Sequence, residues 1–356
     1  MEFLRSGGDG RHFEREKHIC YLHMMLDMLP SEYESQEINR LTLAYFVICG
    51  LDVVGALDLV DKDQVARWIM SFQACSDKVD LDNGQFYGFH GSRTSQYPLE
   101  QQVLGRNASH LASTYCALAI LKIIRYDFSS LSSELISLSM KNLQQSDGSF
   151  MPIHIGAETD LRFVYCAAAV CSMLNDWRGL DKEKAKEYIV KCQSYDGGFG
   201  LVPGSESHGS GTGGATYCAV AALKLMGYIE AYHTSNSLSS SVVNIPLLLE
   251  WTLQRQAIDG GFQGRANKAS DTCYAFWVCG VLKILGADNF LDRDALRSFL
   301  FSCQSKYGGF TKFPRTSLPD LYHSYYGFAA FSLLEEPGLN QLHVELGITA
   351  LSDTAI

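Results

Sequence analysis

Along most of the chain, wholly apolar stretches alternate with mixed, charged ones at a long and regular interval. The run from Tyr217 to Gly227 is apolar nearly all round, the pattern of a buried helix. The segment Asp181 to Cys192 carries charges on one side, with Ala185, Ile189 and Val190 among its apolar positions, and reads as an outer, half-solvated helix. Glycine-rich phrases punctuate these helices. Gln145-Ser-Asp-Gly-Ser-Phe150 is echoed by Gln193-Ser-Tyr-Asp-Gly-Gly-Phe199, Ala257-Ile-Asp-Gly-Gly-Phe262 and Gln304-Ser-Lys-Tyr-Gly-Gly-Phe310. A degenerate copy, Asn83-Gly-Gln-Phe-Tyr-Gly-Phe89, precedes them. Such phrases predict turns, because Gly tolerates positive φ and Asp hydrogen-bonds nearby backbone.

After each phrase comes a small-residue helix centred on a tyrosine. Tyr115, Tyr165, Tyr217, Tyr274 and Tyr325 lie 50, 52, 57 and 51 residues apart, a period that marks a repeat architecture. About six outer and inner helix pairs predict an all-α fold, a closed α/α toroid with one buried helix layer. The repeat occupies most of residues 1–356, so one domain is expected, with residues 1–15 a flexible segment and 337–356 a C-terminal tail.

Composition narrows the function classes. The 356 residues carry 39 Asp and Glu against 29 Lys and Arg, a formal charge of −10, which argues against nucleic-acid binding. No uninterrupted apolar run is long enough for a membrane span, and the first residues lack the apolar core of a signal peptide. The 11 cysteines follow no disulfide spacing, which fits a reducing, cytoplasmic location.

Three cysteines, Cys116, Cys166 and Cys218, directly follow a repeat tyrosine and read as packing. Cys273 instead precedes Tyr274, with Asp271 two residues earlier, and His323 lies two before Tyr325. On the tyrosine register, Asp271, Cys273 and His323 fall at −3, −1 and −2, at the N-terminal ends of neighbouring inner helices. Three ligands of these types suit a zinc site with its fourth position open, although an Asp cap, a core Cys and a solvated His would give the same spacing. Arg265, Lys268, Lys312 and His208 occupy the adjoining turns, and in an acidic chain their gathering suggests a phosphate or diphosphate cradle that Tyr274 could join. Tyr165, Phe276, Trp277, Tyr322, Tyr325 and Tyr326 supply an aromatic lining for a lumen.

Gly261-Phe-Gln-Gly-Arg-Ala-Asn-Lys-Ala-Ser-Asp-Thr-Cys-Tyr-Ala-Phe-Trp277 and Pro319-Asp-Leu-Tyr-His-Ser-Tyr-Tyr326 resemble the zinc and diphosphate motifs of protein prenyltransferase β subunits, and the similarity extends from about Glu16 to Glu336. The resemblance implies a heterodimer with a helical-repeat α subunit. It assigns zinc to Asp271, Cys273 and His323, and diphosphate to His208, Arg265, Lys268 and Tyr274 with Lys312 beside them. The isoprenoid pocket falls on Thr42, Arg162, Tyr165, Cys218 and Trp277, and contacts to the peptide substrate on His110, Glu158, Arg162 and Tyr322. Thr42 stands where the farnesyl-transferring members have a tryptophan, and Lys312 where they have an aspartate associated with Mg²⁺. Both point to the type I geranylgeranyl branch, with geranylgeranyl diphosphate as donor, C-a-a-X proteins such as small GTPases as acceptors, and no Mg²⁺ requirement. The farnesyl and type II branches are the alternatives within the family. A terpene-cyclase-like toroid lacks support, since no Asp-Asp-x-x-Asp cluster is present; a non-catalytic scaffold is the remaining one. The Gly-Ser-Gly-Thr-Gly-Gly link after His208 is longer than the family pattern, and residues 85–105 match it poorly.

Overall fold

The computed structural model describes residues 12–74, 86–95, 109–154, 156–205, 212–230, 242–314 and 318–350. The inner helices are α2 (Arg40–Val53), α4 (Leu111–Ile123), α6 (Leu161–Leu174), α8 (Thr212–Leu225), α10 (Thr272–Ile284) and α12 (Leu321–Leu333). The outer ones are α1 (Arg15–Asp27), α3 (Lys62–Met70), α5 (Ser133–Lys141), α7 (Lys182–Lys191), α9 (Ile245–Leu253) and α11 (Arg293–Cys303). Each inner helix packs against the next, and α12 packs against α2, so the ring closes. This is the α/α toroid that the repeat predicts. None of the described helices is long and apolar enough to cross a membrane.

Four of the inner helices, α4, α6, α10 and α12, start on side-chain caps. His110, Asp160, Asp271 and Asp320 each accept a backbone N–H of the first turn, an arrangement worth about 1 kcal/mol per helix. Between helices, the glycine-rich phrases fold as tight turns closed by Gln–Phe bridges: 144 with 150, 193 with 199, 256 with 262 and 304 with 310. The phenylalanine amides of Phe89, Phe199 and Phe310 donate to Thr114, Thr216 and Ser324 of the helix that follows, at 2.9–3.0 Å. In α4, α8 and α12 the phrase is therefore a clasp that seats the inner helix.

The caps correct one alignment. Tyr115, Tyr165 and Tyr325 each stand five residues after their cap, and the residue five after Asp271 is Phe276. Tyr274 is thus not the fourth copy of the repeat tyrosine. Trp277, not Cys273, takes the place that Cys116 and Cys166 hold. Cys273 lies two after its cap, level with Ala112, Arg162 and Tyr322, and His323 lies three after its own.

The structure also gives the repeat tyrosines a task. The stretch expected as a C-terminal tail folds, as far as residue 350, into the ring. Leu342–His343 and Ile348–Thr349 form a short antiparallel hairpin, with Leu346 and Ile348 buried. Its successive carbonyls accept from the tyrosine hydroxyls: Val344 from Tyr217 at 2.6 Å, Glu345 from Tyr165 at 3.1 Å and Leu346 from Tyr115 at 2.9 Å. Gly347 accepts from both Tyr45 and Tyr325. At the other end of the chain, residues 12–15 are tied down as well. Gln304 donates to the His12 carbonyl, and Phe13 packs its ring against His18 and Phe331.

Candidate metal centre and anion rim

Asp271 and His323 reach each other because α10 and α12 are neighbours in the ring and both begin on the same rim. Single ligand atoms of Asp271, Cys273 and His323 all lie within 4.8 Å of one another. The Asp271 Oδ1 to His323 Nε2 distance is 3.3 Å. Tetrahedral zinc with bonds of 2.0–2.3 Å sets its ligand atoms roughly 3.3–3.8 Å apart, so a slight closing of this set would seat the ion. A carboxylate, an imidazole and a thiol are donors that zinc accepts together, and three of them leave one position open. The residues present therefore fit the metal.

The electrostatics of the three groups are coupled. Burial works against the charged imidazolium, yet the hydrogen bonds from His323 to Asp271 and Asp320 outweigh it and raise the imidazole to about 9. Burial would raise the Asp271 carboxyl, but the His323 and Cys273 hydrogen bonds hold it below the usual range. Cys273 is pushed well above an ordinary thiol, first by burial and then by the Asp271 charge. Such a trio favours a cation in its midst, which would replace these protons.

One cation lies against this centre, and two more ride on the turn that leads into Asp271. Lys312 Nζ lies 3.7 Å from Asp271 Oδ2. Its backbone is fixed, since its carbonyl accepts the Thr272 N–H at 3.1 Å. Arg265 and Lys268 ride on a hairpin closed by the Gln263–Ser270 bridge, with Lys268 exposed and Arg265 half-buried. Tyr274 completes the rim. Its ring lies over Gly264, where a Cβ would come within 2.0 Å of Cζ, so only glycine lets the phenol into this place. His208 lies outside the described residues, as does the first half of the link after it.

Three of the peptide-side candidates, His110, Glu158 and Arg162, lie at the α4 and α6 ends of the rim, and the fourth, Tyr322, lies on α12. Arg162 is held by the Asp160 cap through Nε at 3.0 and 3.1 Å and Nη2 at 2.6 Å, with Glu158 at 3.8 Å. His110 caps α4 through Nδ1, and burial lowers its basicity. Around the lumen, Trp277 donates from Nε1 to Tyr322 Oη at 3.3 Å and packs its ring 4.4 Å from that of Tyr326. Cys218 is buried, and Thr42 is half-buried with its hydroxyl 3.8 Å from Cys116 Sγ. Tyr165 faces the hairpin, its hydroxyl committed to Glu345. Residues unmarked by the sequence reading also belong here: Asp320, bonded to His323, and the hairpin 342–349. The only mark the first leaves in the sequence is an Asp at a helix start, which reads as an ordinary cap.

The sequence profile described as "Prenyltransferase alpha-alpha toroid domain" matches residues 13–348. The chain is 64% identical over 346 residues to the geranylgeranyl transferase type-1 subunit beta of Arabidopsis thaliana, covering 97% of this chain and 91% of that one. Identity to the Dictyostelium discoideum protein of the same name is 33%, covering 94% of each. In three dimensions the chain resembles the solved structure of Candida albicans protein geranylgeranyltransferase-I complexed with GGPP. That likeness has a TM-score of 0.82 at 25% identity, over 96% of this chain and 98% of that chain.

Proposed function

The chain belongs to the prenyltransferase α/α-toroid family, and from that premise we propose that it is the catalytic β subunit of a zinc-dependent, type I protein geranylgeranyltransferase. The observation that carries the reading is the meeting of Asp271, Cys273 and His323 on a rim that also presents Lys312, Arg265, Lys268 and Tyr274. An α subunit would complete the enzyme. In the reaction, a thiolate sulfur near the C-terminus of an acceptor protein attacks C1 of geranylgeranyl diphosphate. An S–C bond forms, the C1–O bond breaks, and inorganic diphosphate leaves with the bonding pair.

Asp271, Cys273 and His323 would hold the zinc. When bound, the ion supplies a Lewis acid that lowers the pKa of the incoming thiol, so that thiolate prevails near neutral pH. Arg265, Lys268 and the Tyr274 hydroxyl, with His208, bind the diphosphate. Lys312 faces the charge that grows on the departing oxygen, where a preplaced cation acts most strongly in the transition state. Arg162, fixed by Asp160, would with His110 and Glu158 hold the acceptor's terminal carboxylate through a bridging water. The lumen lined by Thr42, Cys218 and Trp277 takes the lipid and keeps water from it. Thr42 leaves the space of an indole free, which suits a fourth isoprene unit, and Lys312 takes the charge-neutralising role otherwise given to Mg²⁺.

Co-expression with an α subunit, followed by transfer assays, tests the reading. Farnesyl and geranylgeranyl diphosphate are each paired with C-a-a-Leu and C-a-a-Ser peptides, without added Mg²⁺. Geranylgeranyl transfer to the Leu peptide is expected to dominate; preferential farnesylation of the Ser peptide would overturn the type I assignment. Elemental analysis should find one zinc per complex, lost in Cys273→Ser.

A further inference from the structure

The cap of α12 differs from the others in what its second oxygen does. Asp271 spends one oxygen on the amide of Cys273, two residues on, and turns its carboxylate toward the other metal ligands. Asp160 caps the amide two residues on and grips the Arg162 guanidinium. Asp320 reaches one residue further: Oδ1 accepts the His323 N–H at 2.8 Å, and Oδ2 accepts from the ring Nδ1 of the same residue at 2.6 Å. The Leu321 amide between them donates to Tyr33 Oη at 2.9 Å. Asp320 is anchored in turn, since its backbone bridges Phe310 in the preceding clasp. With Nδ1 committed as a donor, Nε2 is left to point at Asp271 Oδ1, 3.3 Å away, toward the centre of the ligand set.

An imidazole can present either nitrogen, and which one faces a metal is set by what its other nitrogen bonds. We propose that Asp320 is a positioning residue for the metal centre, holding His323 in the Nδ1–H tautomer with its Nε2 lone pair aimed at the ion. The inference rests on the metal reading above. It adds a fourth residue to the site, one that touches neither the ion nor either substrate and acts through its ligand.

The test separates positioning from capping. A serine at position 320 still caps the helix, because its hydroxyl accepts a first-turn amide, but it is too short to hold the His323 ring as well. An asparagine keeps an acceptor and loses the charge. The co-expressed complex is stripped of metal, and zinc affinity is measured by competition with a chromophoric chelator, a readout that needs no turnover. Asp320→Ser is expected to weaken zinc binding about 10- to 100-fold, and Asp320→Asn by a smaller factor of at least about threefold, with far-ultraviolet circular dichroism unchanged. Replacing zinc by Co²⁺ should also shift the visible ligand-field bands of the Ser variant, which loss of helix stability alone would not do. If the parent complex takes up zinc and both variants match it within twofold, Asp320 has no positioning role while the metal reading stands. A parent that takes up no zinc overturns both. Should Asp320→Ser fail to fold, the Asn variant decides alone, and unchanged affinity there overturns the proposal.

Discussion

Lys312 stands between two charges, the carboxylate of Asp271 at 3.7 Å and the diphosphate assigned to the same rim. With its backbone pinned to Thr272, the ammonium is delivered to a fixed place, so its loss should be felt in the transition state more than in binding. Lys312→Ala is expected to slow single-turnover prenyl transfer by about 10²-fold, with the lipid Kd nearly unchanged. Lys312→Asp should regain part of the rate when Mg²⁺ is added. An equal loss in the Kd and in the rate would assign Lys312 to ground-state binding instead. Thr42 offers a second test at this scale, its hydroxyl 3.8 Å from Cys116 Sγ on the adjoining inner helix. Thr42→Trp should raise the farnesyl-to-geranylgeranyl ratio of kcat/KM by at least about tenfold, since an indole would fill the space of the last isoprene. An unchanged ratio in a folded variant would place the lipid's far end elsewhere. Asp271, Cys273 and His323 were legible as candidates from residue type and helix-start position, but a cap, a core thiol and a solvated imidazole leave the same spacing, and the family resemblance was what pointed to a metal. Asp320 was not, because an Asp three before a His looks like any cap until its second oxygen is seen.

At the scale of elements, α1 shows how an outer helix becomes part of the ring. Its His18 is buried, donates from Nε2 to Gln304 Oε1 at 2.9 Å and accepts the Gly309 amide on Nδ1 at 2.9 Å. The helix is thereby stitched to the last clasp, 304–310, and the ring is sealed where its two ends meet. Both nitrogens are in use by one neutral tautomer, and protonation of Nδ1 would put two donors face to face. Burial lowers the imidazole to about 4, despite the opposing pull of the Gln304 bond and Glu14. The folded pKa lies below the unfolded one, so this contribution is fully present above about pH 6.5 and is lost as pH falls toward 4. The loss amounts to roughly 3 kcal/mol at most. Urea unfolding of the chain in its complex should therefore show a midpoint that drops between pH 7.5 and 5. His18→Gln should flatten that drop while lowering stability at pH 7.5; an identical slope in both would clear His18 of the effect. The helices themselves were legible from periodicity, since a face of charges and a wholly apolar run are distinct patterns. Their exact register was not. Phe276 replaces the repeat tyrosine in α10, and Tyr274, two residues away, is a convincing decoy.

The whole molecule is a ring with one end of its lumen occupied by its own chain. The hairpin 342–349 is anchored to α2, where Thr349 donates to the Asp52 carboxylate at 2.8 Å and Asn340 donates to the Asp52 carbonyl at 2.7 Å. Its apex meets the tyrosine hydroxyls. Nothing in the sequence of 337–356 advertises this, because the pairing is between side chains spaced through the whole repeat and backbone carbonyls, which carry no residue-type signal. The repeat tyrosines were visible as a period; their partner was not. Tyr45 is the hub, with its hydroxyl 3.0 Å from those of Tyr115 and Tyr325 and 2.7 Å from the Gly347 carbonyl. Gly347 adopts φ +64, and a Cβ there would lie 2.7 Å from the Tyr45 hydroxyl. Two consequences follow for thermal unfolding of the complex. Tyr45→Phe should cost about 1 kcal/mol, since the buried Gly347 carbonyl loses one of its two donors. Gly347→Ala should cost at least as much, from the left-handed backbone and the clash together. The double variant removes the very oxygen that the new methyl would strike. It should therefore be destabilised by less than the two single changes added, with a coupling of about 1 kcal/mol. Strict additivity would mean that the hairpin backs away from Tyr45 without resistance, and that the hydroxyl belt does not hold the end of the ring shut.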